Sequence, residues 1–210
     1  YTRAQWGSIN NNPAPFTGLK NYRQDVGTVS ANSYCGAIGS GNKSAAEILM
    51  NVGRACNVSP MVLLVLLQKE QGLVTDDWPW NSQYKAATGF GCPDTAACDT
   101  NYAGFFNQVY WAAWQYQNYK ANSTQFNYRA GRSQYIPYNP NGACGGTQVY
   151  IQNQATAGLY NYTPYQPNAA ALNNLYGTGD GCSAYGNRNF WRIYNNWFGD
   201  PTAGCQNSPL

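Results

Sequence analysis

Histidine is missing from this chain altogether. Its absence excludes the Ser-His-Asp and Cys-His arrangements of nucleophilic catalysis and every zinc site built on imidazole. Charge is scarce as well, at 10% of residues, and the 12 Lys and Arg are spread along the chain without a basic run. A net charge of +3 so distributed leaves no nucleic-acid footprint, and none is expected as a partner. No apolar stretch approaches the roughly 20 residues that a membrane-spanning helix needs. The longest, Met61 to Leu67, covers a turn or two, so membrane insertion is not expected either. The phosphate loop G-x-x-x-x-G-K-[ST] is absent, and the glycines of "GAIGSG" lead into a helix with no clear strand before them. Among seven cysteines there is no C-x-x-C spacing, so the sequence calls for no metal and no cofactor.

What is present is aromatic and amide-rich. With 18 Tyr, 7 Trp, 22 Gly and much Asn and Gln, the chain owes its solubility to amides and hydroxyls rather than ions. A disordered chain shows high net charge and few aromatics, the reverse of this one. At 210 residues a single domain is expected, able to bury about 70% of the surface that the unfolded chain exposes. The cysteines at 35, 56, 92, 98, 144, 182 and 205 read as disulfides, and hence as a secreted, extracellular protein. Cys92 and Cys98 enclose the short loop "CPDTAAC" and are the first expected pair. Cys35 with Cys56 and Cys144 with Cys182 follow, which leaves Cys205 as the odd thiol. The chain starts at Tyr1 with no leader, as a mature product would after its targeting segment is removed. The triplets "NKS", "NVS", "NST" and "NYT" fit the glycosylation acceptor pattern, which chance also supplies in a chain so rich in Asn.

Residues 1–33, with "NNNPAP" and no sustained period, read as an irregular arm packed on the domain. Ser44 stands three residues before Glu47, a capping-box signature for a helix through about Cys56, which gives Glu47 a structural role. Ser59 and Pro60 open a second helix as N-cap and first residue, and Gly72 ends it. Its uninterrupted apolar run, "PMVLLVLL", predicts a helix surrounded on all sides. Large apolar groups recur at helix spacing over 103–120, and again through Phe190, Ile193, Tyr194 and Trp197 up to Gly199. Trp111, Trp114, Trp191 and Trp197 lie on these faces and read as core. Between them, "FNYRAGRSQYIPYNPNGACGGTQVYIQ" alternates aromatic and polar residues amid Gly and Pro and predicts short strands and turns, with one more short helix at "NAAALNNLYG".

With imidazole, metal and phosphate chemistry set aside, acid and base work falls to nine carboxylates plus Tyr and Lys. Glu70 has the most unusual setting, the last turn of the buried helix. The negative end of the helix dipole and apolar surroundings both favour the protonated acid there. A carboxylic acid that keeps its proton is what protonation of a glycosidic oxygen requires. The plainer reading makes Glu70 an exposed helix-end residue paired loosely with Lys69 or Lys85. Lys69, next along the helix, is expected to point to another face and be solvated.

The strings "VLLVLLQKEQGLVT", "GFGCPDTAACDTNYAGFFNQVYWAAWQY", "FNYRAGR", "VYIQNQATAGLYNYTPYQPNAAAL" and "GCSAYGNRNFWRIYNNWFG" resemble a secreted cell-wall hydrolase family of actinobacteria and fungi. Its bacterial members are often labelled hemagglutinin and are recognised as muramidases of lysozyme-like fold. The resemblance covers roughly residues 20–199, and it departs from the bacterial pattern in lacking a cysteine before "YRQD". It implies an α+β fold: a mainly helical, disulfide-bonded, lysozyme-like catalytic domain over residues 34–200 with a small β insertion, and a C-terminal tail at 201–210. It also implies cleavage of peptidoglycan glycan strands by a monomer, with Glu70 as general acid.

Asp76 and Asp77 lie close downstream, where either could hold a water as base or simply form a solvated turn. Asp94 and Asp99 are expected to order the loop between the paired cysteines. Tyr and Trp stacking with Asn and Gln hydrogen bonding suits a sugar-binding lining. "LYNYTPYQPN" carries two prolines that rule out a regular helix, and Tyr160, Tyr162, Tyr165 and Gln166 are read as a stiff cleft wall. Gln68, Gln71, Thr88 and Gln108 are further substrate-binding candidates. Two rival functions remain: a lytic transglycosylase on the same substrate, or a carbohydrate-binding lectin with no use for a proton-holding glutamate.

Overall fold

A computed structural model describes residues 17–93 and 96–201. The first 16 residues of the expected arm, Asp94, Cys205 and all but the first residue of the expected tail lie outside the described residues. Helices and two small antiparallel sheets form an α+β fold with three disulfides. The chain parts into two compact units after Gln117.

The first unit begins with a correction. Residues 17–33 are not irregular: a one-turn helix at Leu19–Asn21 is followed by β1 (Arg23–Val26), antiparallel to β2 (Gly41–Ser44), with Arg23 opposite Ser44 and Val26 opposite Gly41. Polar side chains tie the pair, since Asn42 donates to Asp25 at 2.9 Å and accepts from Arg23 at 2.6 Å, while Leu19 and Val26 enter the core. Helix α1 (Ala45–Ala55) starts with the expected capping box: the Glu47 N–H donates to Ser44 Oγ at 3.2 Å, and the Glu47 carboxylate accepts from the Ser44 N–H at 2.7 Å. It buries Ile48, Leu49 and Val52. Gly53 is needed where the next segment crosses, because a Cβ there would stand 2.7 Å from the Val58 carbonyl oxygen and 2.9 Å from Pro60.

Helix α2 (Pro60–Gln71) is capped by Ser59, whose hydroxyl accepts from the Met61 N–H at 3.3 Å, and by Gly72 at φ 66°. Leu63, Val65, Leu66 and Leu67 are fully buried, while Met61 in the first turn is exposed and the last turn, from Gln68 to Gln71, is partly so. Next come the short α3 (Asn81–Lys85) and the long α4 (Phe105–Ala121), the helix expected over 103–120. Tyr22 stacks on Tyr84 at 4.2 Å with the edge of Phe105 5.2 Å away, a cluster that joins the strand pair to both helices. Trp111 and Trp114 pack partly buried against the core, as expected.

The second unit holds the expected β insertion, β3 (Arg132–Pro137) paired with β4 (Gly146–Ile151) in register from Arg132–Ile151 to Pro137–Gly146. Its core gathers Tyr128, Ile136, Ile151 and Ala157, with Val149 and Tyr160 against them. Helices α5 (Gln154–Tyr162), α6 (Ala169–Asn173) and α7 (Gly186–Phe198) complete it. The buried Arg188 of α7 holds the loop after α6 by donating to the carbonyls of Ala171, Asn174 and Gly177 at 2.9 to 3.1 Å. Phe190 and Ile193 face inward, but Trp191, read from the sequence as core, stands 48% exposed on the opposite side of the same helix. All three expected disulfides are present: Cys35–Cys56, Cys92–Cys98 and Cys144–Cys182.

Candidate functional site

Glu70 lies one residue from the end of α2, where the wholly buried apolar run gives way to surface. Its side chain is 27% exposed, so a carboxylate emerges from an apolar base. The surroundings differ from the lone acid expected from the sequence. Lys69 Nζ lies 2.7 Å from Glu70 Oε1, and the lysine side chain is only 6% exposed. Adjacent helix residues diverge by about 100° around the axis, yet a four-carbon stem is long enough to curl back and carry its charge to the neighbouring head group.

The other carboxylate oxygen faces backbone. A Cβ at Gly89 would stand 3.3 Å from Glu70 Oε2, and Gly89 sits at φ 72°, a conformation that side chains disfavour. One residue of α4 holds this turn. Gln108 Oε1 accepts from the N–H groups of Thr88 at 3.2 Å and Phe90 at 3.1 Å, and its amide donates to the carbonyls of Phe90 and Tyr102, both at 2.8 Å. The Thr88 hydroxyl donates in turn to the Gln108 carbonyl at 2.8 Å. At 0% and 1% exposure, Thr88 and Gln108 cannot touch a ligand, which corrects their reading as substrate-binding residues. They brace the backbone against which Glu70 lies.

The loop after α2 is braced as well. Gln68, another expected substrate contact, donates to Thr75 Oγ1 at 2.8 Å and accepts from the Val74 and Thr75 N–H groups at 3.1 and 3.2 Å, so its amide closes the helix end. Gln83 donates to the Gln71 carbonyl at 2.7 Å and to Asp76 Oδ2 at 2.8 Å. Asp76 Oδ1 accepts from the Trp78 N–H at 2.9 Å. Both oxygens of Asp76 are therefore engaged in ordering the loop, while Asp77 is exposed to solvent. Gln71 is half-buried, and its side chain makes no hydrogen bond among the described residues, so of the four amides and hydroxyls expected here it is the one left available. Asp99, expected to order the loop between the paired cysteines, instead caps the one-turn helix at Thr100–Tyr102, accepting from the Asn101 N–H at 2.9 Å.

The remaining candidates lie in the second unit, and their expected cleft wall is corrected in part. Tyr160 and Tyr162 are helical, because α5 continues to Tyr162 and stops just ahead of Pro164. Tyr160 packs against the core beside Tyr128, at 5.8 Å between rings, and burial pushes its phenol upward. Gln166 is buried and binds the sheet, donating to the Ile136 carbonyl at 2.7 Å and to Thr147 Oγ1 at 2.9 Å. Tyr162 and Tyr165 stay half-buried.

Sequence reasoning missed Gly89 and Gln83, and it named Lys69 only under the plainer reading, as one of two loose partners of an exposed Glu70. Gly89 alone carried a local signal, as a glycine in "TGFG" marks a turn with positive φ. Among the described residues no group of three or more Asp, Glu or Cys is placed to hold a metal ion. Comparisons of the chain with protein-family models, with curated proteins and with solved structures found no match.

Proposed function

We propose that this chain is a peptidoglycan-cleaving glycoside hydrolase, a muramidase, in which Glu70 is the general acid. One observation carries the reading. Of the two glutamates in the chain, Glu47 closes a capping box, whereas Glu70 is held half-exposed at the end of a buried helix, one oxygen against Lys69 and the other beside Gly89.

The geometry divides the labour of the two oxygens. Lysine is a donor only, so Oε1 accepts from Lys69, and Oε2 is the oxygen from which a proton would be delivered to the substrate. The missing side chain at residue 89 keeps that oxygen open to a substrate. In the proposed reaction the Oε2 proton passes to the glycosidic oxygen as the bond to the anomeric carbon breaks. Water adds its hydroxide to that carbon and returns its proton to Glu70. Gln71 is the neighbouring amide free to bind a sugar hydroxyl or acetamido group. Three disulfides suit the oxidising, extracellular setting in which such a substrate is met.

The engagement of both Asp76 oxygens favours a second reading, lytic transglycosylation. There a hydroxyl of the substrate, rather than water, attacks the anomeric carbon, and no second carboxylate is required. Mass spectrometry of digested peptidoglycan separates the two, since hydrolysis yields new reducing ends and transglycosylation yields anhydro ends. Under either reading Glu70→Gln should cut product release on the order of a thousandfold, with binding to the polymer retained. Release at the parent rate would remove the acid role from Glu70, and absence of release from the parent itself would leave a lectin.

A further inference from the structure

The paired strands of the second unit turn two unlike faces outward and inward. Residues opposite each other in an antiparallel pair project to the same side, and successive residues alternate. Ile136, Ile151 and Val149 therefore share the face that packs on the core. The other face presents Ser133 and Tyr135 from β3, with Gln148 and Tyr150 from β4. Tyr135 is 53% and Tyr150 59% exposed, among the most open large side chains described. Their phenols make no hydrogen bond and their rings meet no other ring among the described residues, and Ser133 and Gln148 are likewise exposed.

Sterics hold one of these rings in place. Tyr135 leans diagonally across the ribbon onto Gly146, where a Cβ would stand 2.9 Å from the ring's Cζ. A side chain at 146 would meet the Ile136 carbonyl and the Pro137 backbone as well as the ring, so a glycine is needed for the strands and the ring to approach this closely. On the opposite diagonal is Tyr150, roughly 7–8 Å away along the ribbon surface.

We propose that this face is a glycan-binding platform, on which Tyr135 and Tyr150 stack against successive sugar rings of a neutral polysaccharide while Ser133 and Gln148 bond their hydroxyl and amide groups. The chemistry of the face selects that occupant. It carries no charged side chain, which disfavours nucleic acid and charged peptides, and its one aliphatic group, Pro137, sits partly buried at the end of the ribbon rather than beside the two tyrosines. Aromatic faces interleaved with neutral donors and acceptors match the apolar faces and hydroxyl edges of a sugar chain. The class of ligand follows from this face alone; that the bound strand is also the one cut at Glu70 rests on the proposed reaction.

The test is co-sedimentation of the full chain with insoluble peptidoglycan sacculi and, separately, with insoluble chitin, in a Glu70→Gln background so that neither polymer is consumed. Tyr135→Ala with Tyr150→Ala should lower retention on sacculi by about tenfold or more, the scale of one lost stacking contact or two. Tyr135→Phe with Tyr150→Phe, which keeps the rings, should hold most of it and guards against misfolding. In chains that retain Glu70, turnover of a short soluble glycan should be the same with and without the alanine pair. Equal retention by the parent and the alanine pair overturns the platform, as does failure of the parent to bind either polymer. So does a loss of self-association in sedimentation velocity that accompanies unchanged retention, which would make the face an interface between copies. If Glu70→Gln proves fully active, the proposed reaction falls while the retention result stands.

Discussion

The Lys69–Glu70 contact is the residue-scale feature on which the chemistry turns. An ammonium fixed 2.7 Å from Oε1 limits rotation of the carboxyl group and leaves Oε2 toward the Gly89 backbone. Replacing Lys69 by Met should keep the packing of its stem and free the carboxylate to turn. Because Glu70 is partly exposed, the freed group can hydrate, and thermal stability should stay close to the parent. Turnover should fall about tenfold to a hundredfold, as misplacement of a reacting group does, with KM little changed. Lys69→Arg keeps the cation and should restore part of the loss; a parallel fall in melting temperature and turnover, unrelieved by Arg, would mark Lys69 as structural. Glu70 itself was legible in the sequence, because an acid at the end of an apolar run is rare in a chain with two glutamates. The lysine was legible only as one of two possible partners, Lys69 or Lys85, since its position along the helix says which face it leaves from and nothing about where a flexible stem ends.

At the scale of elements, α4 reaches the site through one amide. Gln108 satisfies two donors and two acceptors of the Thr88–Phe90 turn and of Tyr102. Gln108→Ala strands four polar groups in a buried place, and at about 1–3 kcal/mol for each group that water cannot reach, with partial relaxation, the loss of stability should be about 3 kcal/mol. Urea unfolding measures it, and an unchanged midpoint would show that water fills the gap. Gln108→Glu keeps the acceptors but cannot donate to the Phe90 and Tyr102 carbonyls, so it should not rescue the protein. Here the sequence was only half legible. Helices α1, α2 and α7 announced themselves through Ser44 with Glu47, Ser59 with Pro60, and Gly199, since caps are local chemistry. Strand β1 did not, because "RQDV" is short and polar and becomes a strand through Asn42 and its neighbours, 15 to 21 residues from their partners. Helix α5 was hidden by Pro164 and Pro167, which end a helix without forbidding one before them. Thr88, Gln108 and Gln166 looked like sugar contacts because amides and hydroxyls suit sugars, and burial, which decides between ligand and backbone, is a property of the packed chain.

For the whole molecule, the missing histidine shapes the response to pH. No side chain here has its ordinary transition between about pH 5 and 8 apart from perturbed groups, so stability should be flat across that range. On the acid side, hydrogen bonds from the Ser44 backbone and hydroxyl hold Glu47 below the usual carboxylate range, and bonds from Asn168, Ser183 and the Cys182 N–H do the same for Asp180. A folded value below the unfolded one means that the folded state binds protons less readily. Its contribution is complete above the unfolded carboxylate value and is lost as pH falls through the depressed one. On the alkaline side, burial raises the phenols of Tyr22, Tyr84, Tyr128 and Tyr160. Their contribution is complete below the ordinary tyrosine value of about 10 and declines as pH climbs past it toward the raised values. Melting temperature against pH should therefore trace a broad plateau with two shoulders. Asp180→Asn should lower the plateau and soften the acid shoulder, leaving the alkaline one in place, since Asp180 braces Cys182 and the loop bridged to Cys144. A shoulder at pH 6 to 7 in the parent would have to come from a strongly perturbed carboxyl group, since no histidine is present to supply it.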